Sequence, residues 1–183
     1  MKAVVCTKLG EPNLLEIKDI DKPKINKDEV LIKVEVAGVN FPDALLVQGK
    51  YQIVIDPPFI PGNEVCGIIE EKGENVDIPV GTKVIGIPPI GGFAEFVTIN
   101  KNLVIPVNMN FDSLAGASLP INYGTSYYAL KRRANAQSGE SLLVLGASGG
   151  IGTATIQLAK VMGLKTICAV GSDAVSYTHL TLP

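Results

Sequence analysis

The sequence predicts a chain of mixed β and α/β class: a partly open β-barrel or sandwich in front, then the first βαβ unit of a parallel sheet. Three observations carry this. Short period-two segments broken by turn residues fill the chain up to Asn110; a helical period takes over from Phe111; and a continuous apolar run, Ser141-Leu142-Leu143-Val144-Leu145, leads into a glycine-rich loop, a helical stretch and a second apolar run.

The front part is clearest in Val30-Leu31-Ile32-Lys33-Val34-Glu35-Val36, where Ile32, Val34 and Val36 share a face opposite Lys33 and Glu35, so one face is buried and one is wet. Further strands are expected at Ala3 to Thr7, Leu14 to Ile20, Val65 to Glu71, Lys83 to Ile87, Ala94 to Ile99 and Leu103 to Ile105. Gly10, Pro23, Gly73-Glu74-Asn75, Gly81, Pro88-Pro89 and Gly91-Gly92 punctuate them. From Phe111, a short helix capped by Asn110 or Asp112 is expected through Leu119, and a longer one over Tyr123 to Ala134. The second ends in Lys131-Arg132-Arg133, cations that suit the negative pole of a helix and read as a solvated helix end.

Ser138-Gly139-Glu140 is a turn, Ser141 to Leu145 a strand apolar on both faces, Thr153 to Met162 a helix and Thr166 to Val170 a second strand. The expected division is 1–120 for the front domain and 121–183 for an α/β domain that stops after two strands, too few to close a sheet.

Composition narrows the function. The 183 residues are 46% apolar and 19% charged, with 16 basic against 18 acidic side chains, a globular balance with no basic surface for nucleic acid. No segment reaches the length of a membrane span, and Met1 runs straight into strand-like sequence without a signal-peptide cleavage region, so a cytoplasmic protein is expected. Cys6, Cys66 and Cys168 lie far apart in apolar runs with no C-x-x-C pair, which reads as three reduced thiols rather than a disulfide framework. His179 is the only histidine, so histidine-based acid–base or metal chemistry has a single candidate near the end of the chain.

The loop Gly146-Ala147-Ser148-Gly149-Gly150-Ile151-Gly152 joins a buried strand to a helix. Its glycines let the backbone turn sharply and approach a ligand, and amides at the start of the helix then face a pyrophosphate. The spacing G-x-x-G-x-x-G differs from the G-x-G-x-x-G dinucleotide pattern, but the strand–loop–helix–strand context supports dinucleotide binding over a plain tight turn. After the second strand comes Val170-Gly171-Ser172-Asp173. Ser172 suits a ribose 2'-phosphate, whereas Asp173 suits a 2'-hydroxyl or a helix N-cap, so position alone leaves the cofactor open.

Gly38-Val39-Asn40-Phe41-Pro42-Asp43, Pro61-Gly62-Asn63-Glu64-Val65-Cys66-Gly67, Val80-Gly81-Thr82-Lys83-Val84, Gly92-Phe93-Ala94-Glu95-Phe96 and the glycine loop occur in an order that resembles the medium-chain dehydrogenases/reductases, most nearly the zeta-crystallin-like quinone oxidoreductases. The likeness extends from residue 1 to about 173. It implies a GroES-like front domain, a Rossmann domain, and reduction of quinones or other conjugated carbonyls by NADPH, NADH being the less expected cofactor. Zinc-containing relatives place a cysteine where Asn40 stands and a histidine where Asn63 stands; neither amide is a usual zinc ligand, so no zinc is expected.

By the same resemblance, Asn40 and Tyr51 border the nicotinamide and the substrate, and Thr125 approaches the nicotinamide amide. The loop Gly146, Ala147, Ser148, Gly149, Gly150, Ile151 and Gly152 holds the pyrophosphate, and Gly171 and Ser172 lie by the 2'-phosphate. The residues also allow plainer roles: Asn40 satisfying a turn, Tyr51 as a loop aromatic, Asp43 as a helix cap.

Competing readings are an enoyl thioester reductase of the same superfamily and a non-enzymatic nucleotide- or RNA-binding relative; a pI of about 5.4 argues against the latter. Relatives continue well past this length and usually pair as homodimers, so the chain reads as incomplete, and residues 174–183 depart from the family pattern, leaving His179 without a role. On this reading the isolated chain binds NADPH weakly or not at all.

Overall fold

The computed structural model describes residues 1–172; Asp173, the 174–183 tail and His179 lie outside the described residues. Two compact units divide the chain, the first Met1–Ser118 and the second from Leu119 onward.

The first unit holds β1 (Lys2–Val5), β2 (Glu16–Asp19), β3 (Glu29–Ala37), α1 (Phe41–Val47), β4 (Val65–Lys72), β5 (Lys83–Gly86), β6 (Phe96–Asn100) and β7 (Val104–Pro106). β1 and β2 form an antiparallel pair, and the other five strands form one antiparallel sheet in the order β6-β3-β4-β5-β7. That order leaves β6 and β7 as edges, so the sheet curves without closing. Val30, Ile32, Val65, Ile69, Val84 and Ile99 are the heart of its core.

The expected alternation along β3 holds for Ile32 inside and Lys33 and Glu35 outside. Leu31 departs from it, being buried on the other face, where the register with β4 slips between Leu31 and Ile32. β2 is shorter than expected because Pro12–Leu14 forms a 3-10 turn, and all four of its residues are exposed.

α1 was not among the expected helices. It is written in its own first turn: Asn40 is the N-cap, Pro42 falls where a helix does not need its N–H, and the main-chain N–H of Asn40 donates to Asp43 Oδ2 at 2.8 Å. A second apolar cluster, Cys6, Leu46, Val47 and Phe59, packs α1 against the N-terminal segment, with Tyr51, Ile55 and Ile90 at its margin.

The unit boundary falls inside α2 (Ser113–Tyr127), which the sequence divides into two helices but which runs unbroken through Pro120 into a π-helical turn, Tyr128–Arg133. A proline removes one helical hydrogen bond and bends the rod; here it does not end it. Lys131, Arg132 and Arg133 are exposed on the π turn, as a solvated helix end requires.

The second unit contains β8 (Ser141–Leu145), α3 (Gly150–Val161) and β9 (Lys165–Ala169), with β8 and β9 parallel and in register from Ser141↔Lys165 to Leu145↔Ala169. α3 begins three residues before the expected Thr153, so Gly150, Ile151 and Gly152 are helix rather than loop. β8 is buried at Val144 but exposed at Leu143 and Leu145 among the described residues. A two-strand parallel sheet is expected to leave one apolar face uncovered, and the exposure of Leu143, Leu145 and Ile167 is that face, while α3 packs against the sheet.

Cys6 and Cys66 are buried free thiols and Cys168 is a half-buried one. Among the described residues, no helix is long and apolar enough to cross a membrane.

Candidate functional site

Each unit carries its own constellation. In the first, the N-terminal end of α1 meets the segment entering β4. Asn40 Nδ2 donates to Glu64 Oε1 at 2.7 Å, and Glu64 is 1% exposed. Gly38 makes room for that carboxylate: a Cβ there would stand 2.2 Å from Glu64 Oε1 and 2.4 Å from the Ala117 carbonyl oxygen. Asn40 is therefore both a helix cap and a partner of a buried carboxylate. One of its two Nδ2 hydrogens is committed to Glu64, which leaves the other to donate elsewhere.

Asp43 is nearly sealed, at 5% exposure. Burial pushes its carboxyl above the ordinary carboxylate range, against the opposing pull of the Asn40 and Gly62 main-chain N–H groups. Beside it opens a cavity of about 210 Å³, walled mainly by apolar groups including Pro42, Leu46, Tyr51, Ile55 and Ile90. Tyr51 thus stands in a cavity wall. Asn40 is not part of that wall, although Pro42, Asp43 and Leu46 of the helix it caps are. Asn63, two residues before Val65, lines the same cavity, and the sequence reading had considered it only as a failed zinc ligand. Among the described residues, no group of three or more His, Cys, Asp or Glu side chains is placed to hold a metal ion.

In the second unit the glycine loop sits at the carboxyl ends of the two parallel strands, where open α/β sheets bind ligands. Gly146 takes a left-handed φ of 64° and turns the chain out of β8. The Ala147 N–H donates to the Ala169 carbonyl at 3.1 Å, tying the loop to the end of β9, and the Thr153 N–H donates to the Gly149 carbonyl at 2.8 Å. Gly152 must lack a side chain: a Cβ would lie 2.6 Å from the Gly146 carbonyl oxygen and 2.7 Å from the Ala147 backbone. The first-turn amides of Gly150, Ile151 and Gly152 have no acceptor within the helix, and Gly149 at the N-cap has no side chain to supply one.

A groove of about 390 Å³ runs beside Leu145, Gly146, Gly149, Gly150, Gly152 and Thr155. Ala147 is buried under the turn and Ser148 is half-buried. Gly171 and Ser172 follow β9 after Val170 and are exposed at the same end of the sheet. The open first-turn amides beside this groove fit the diphosphate of a dinucleotide.

Thr125 is exposed on α2 and does not line the groove. Its neighbour Ser126 is the embedded one: Ser126 Oγ donates to the Asn122 and Ile151 carbonyls at 2.8 and 3.2 Å and accepts from Thr155 Oγ1 at 2.9 Å. These contacts fix the first turn of α3. Sequence reasoning missed them because a serine and a threonine separated by a strand and a loop give no periodic signal.

The Alcohol dehydrogenase GroES-like domain matches residues 26–109. The quinone oxidoreductase of Rattus norvegicus is 38% identical over 176 residues, 94% of this chain and 54% of that protein. Among solved structures, a probable oxidoreductase from Mycobacterium abscessus superposes with a TM-score of 0.93 at 39% identity, covering 99% of this chain and 59% of that one. A quinone oxidoreductase from Thermus thermophilus, solved also in complex with NADPH, superposes at 0.85 with 38% identity, covering 96% of this chain and 55% of that one.

An open antiparallel sheet joined to a glycine-loop βαβ unit, with these matches, places the chain in the medium-chain dehydrogenase/reductase superfamily. Within it, the similarity is to the quinone oxidoreductases, and the chain spans about half the length of the curated relatives it matches.

Proposed function

We propose that the chain carries the substrate and cofactor elements of a zinc-independent oxidoreductase that moves hydride from NADPH to a quinone or other conjugated carbonyl. Residues 1–120 serve the substrate and the Rossmann-type remainder serves the cofactor. The observation that carries the reading is the placement of the glycine loop and Gly171-Ser172 together at the carboxyl ends of β8 and β9.

Bound NADPH supplies a hydride, two electrons with one proton, and water supplies the second proton that completes reduction. The chain's contribution is binding and polarisation. The Gly150, Ile151 and Gly152 amides and Ser148 hold the diphosphate; Gly171 and Ser172 stand by the 2'-phosphate; Thr125 reaches the nicotinamide carboxamide. The Tyr51 hydroxyl donates to the carbonyl oxygen as negative charge develops on it, in a cavity whose apolar walls strengthen such a bond; the remaining Asn40 N–H, at the start of α1 and outside that wall, is a second donor for a substrate that extends beyond the cavity. Zinc independence is supported by the chemistry of the donors: Asn40 turns an amide N–H toward Glu64, which is the wrong end for a cation.

The test is dihydronicotinamide oxidation with p-benzoquinone against crotonyl-CoA. Turnover with the quinone, and a loss of roughly a hundredfold in kcat for Tyr51→Phe, the size expected for one oxyanion donor, are the expected results. Turnover with the thioester alone would transfer the protein to the enoyl reductases, and a Tyr51→Phe variant with unaltered kcat would remove Tyr51 from the site.

A further inference from the structure

The cavity beside α1 has space for a ring and little more. An enclosed apolar space of about 150 Å³ holds benzene, so a single ring with its carbonyl oxygen takes up most of the volume of about 210 Å³ found here. A longer substituent has to leave through the mouth, and the residues there decide what it is.

Ile53 stands at that mouth: it lines the cavity and is nevertheless 65% exposed. It belongs to the segment Tyr51 to Ile55, in which only Gln52 is polar. No strand or helix gives this run a core face. Tyr51 and Ile55 pack at the margin of the cluster of Leu46, Val47 and Phe59, and Ile53 lies outside it. Phe41, exposed in its turn, directly precedes the wall residue Pro42. Apolar surface therefore continues from the inside of the cavity to its outer edge, and no lysine or arginine is among the residues that line it. A phosphate or carboxylate tail finds no counter-charge in such a wall. A hydrocarbon tail, by contrast, gains about fourfold in affinity for each methylene it takes out of water, the equivalent of about 0.8 kcal/mol.

We propose that the ligand of this cavity is a single-ring conjugated ketone or quinone carrying an unbranched hydrocarbon tail, with the ring enclosed and the tail laid over Ile53 at the mouth. The assignment deepens the proposed reading and rests on it for the carbonyl class. Ile53 then selects among carbonyl compounds by the length of the tail, while the enclosed part of the wall limits the head to one ring.

The experiment titrates the protein, Ile53→Ser and Val161→Ser with acetophenone, butyrophenone and hexanophenone, followed by NMR of the methyl groups. Val161, 87% exposed at the end of α3, is the control for an exposed apolar side chain lost elsewhere. Hexanophenone has four methylenes more than acetophenone, and covering two of them is worth about sixteenfold. The expected result is a Kd at least tenfold lower for hexanophenone than for acetophenone in the parent and in Val161→Ser. In Ile53→Ser the ratio falls below threefold, and the shifts in the parent centre on Ile53, Ile55 and Ile90. No measurable binding, a smaller ratio in either of the first two proteins, or a ratio of three or more in Ile53→Ser overturns the proposal. So do shifts centred on Leu143, Leu145 and Ile167, which would put the ketones on the open face of β8 and β9. An Ile53→Ser variant that fails to fold overturns it as well, because the side chain then serves the fold. None of the ketones needs NADPH. Passing this test without quinone-dependent NADPH oxidation would refute the proposed reaction and leave the tail contact standing; quinone reduction with a flat ketone series would do the reverse.

Discussion

Val30, Leu31 and Ile32 of β3 are 0%, 1% and 0% exposed, while Leu143 and Leu145 of β8, from an equally apolar run, stand 58% and 75% exposed. The difference lies in the neighbours. β3 is flanked by β4 and β6 in a five-stranded sheet that curves around its own core, whereas β8 pairs among the described residues only with β9. A parallel pair needs cover on both faces, and α3 serves one of them, sealing Val144. Burial is thus a property of the layers around a strand, and an apolar run alone does not determine it.

The largest expected effect tests that contrast directly. Ile32→Ala removes side-chain volume from a sealed core and should cost about 2–5 kcal/mol in urea denaturation. Leu145→Ala changes a solvent-facing position and should stay within about 0.5 kcal/mol. Comparable losses from the two would mean that Leu145 is covered in solution, and the contrast would fail.

The next effect is confined to the second unit and separates two glycines of one loop. Gly152→Ala pushes a Cβ into backbone atoms at 2.6 and 2.7 Å, where nothing can swing aside. Gly149→Ala finds its nearest neighbour at 3.5 Å, with a φ of −76° that alanine adopts freely. Stability measured by urea denaturation should fall by about 1–3 kcal/mol for the first and hardly change for the second. Equal losses would show that the loop depends on glycine flexibility rather than on close approach.

Much of this was legible beforehand, for identifiable reasons. Strands β3, β4 and β5 announce themselves through β-branched residues in short runs bounded by glycine and proline, and the glycine loop through its place between two apolar strands. The start of α1 is legible in part: Asp43 reads as a helix cap, but Asn40 reads as a turn or a family residue, and a seven-residue helix leaves too few turns for its apolar period to show. α2 was divided because Pro120 reads as a stop; in the fold the helix absorbs the lost hydrogen bond and continues. The Asn40–Glu64 bond joins residues 24 positions apart, and the place of Ile53 at the cavity mouth is defined by what surrounds it in space. Neither is a property of local sequence.

Two carboxyls within the first unit give the smallest effect and the finest form of the comparison. Glu35, on the wet face of β3, accepts from Ser113 Oγ at 2.6 Å and lies 3.3 Å from Lys83 Nζ. The Ser113 bond, then the Lys83 charge, holds its pKa below the ordinary 4.5. The folded state therefore binds that proton less readily than the unfolded chain: the stabilisation is complete above about pH 4.5 and is lost as the pH falls through the depressed folded value. Asp43 is the reverse case. Burial raises it above its ordinary 3.8, so the folded state favours the neutral acid, and this contribution is present below that pH and disappears as the pH rises through the folded value. Thermal unfolding across the acid range should accordingly show Glu35→Gln less stable than the parent near neutrality, by about 1 kcal/mol for a pair in which Glu35 is exposed and Lys83 buried, and converging with it in acid. Asp43→Asn should differ in the opposite sense, gaining relative to the parent as the pH rises from about 4. Parallel pH profiles for all three proteins would mean that neither carboxyl experiences the environment described, and the distinction between the wet face of β3 and the sealed end of α1 would lose its electrostatic content.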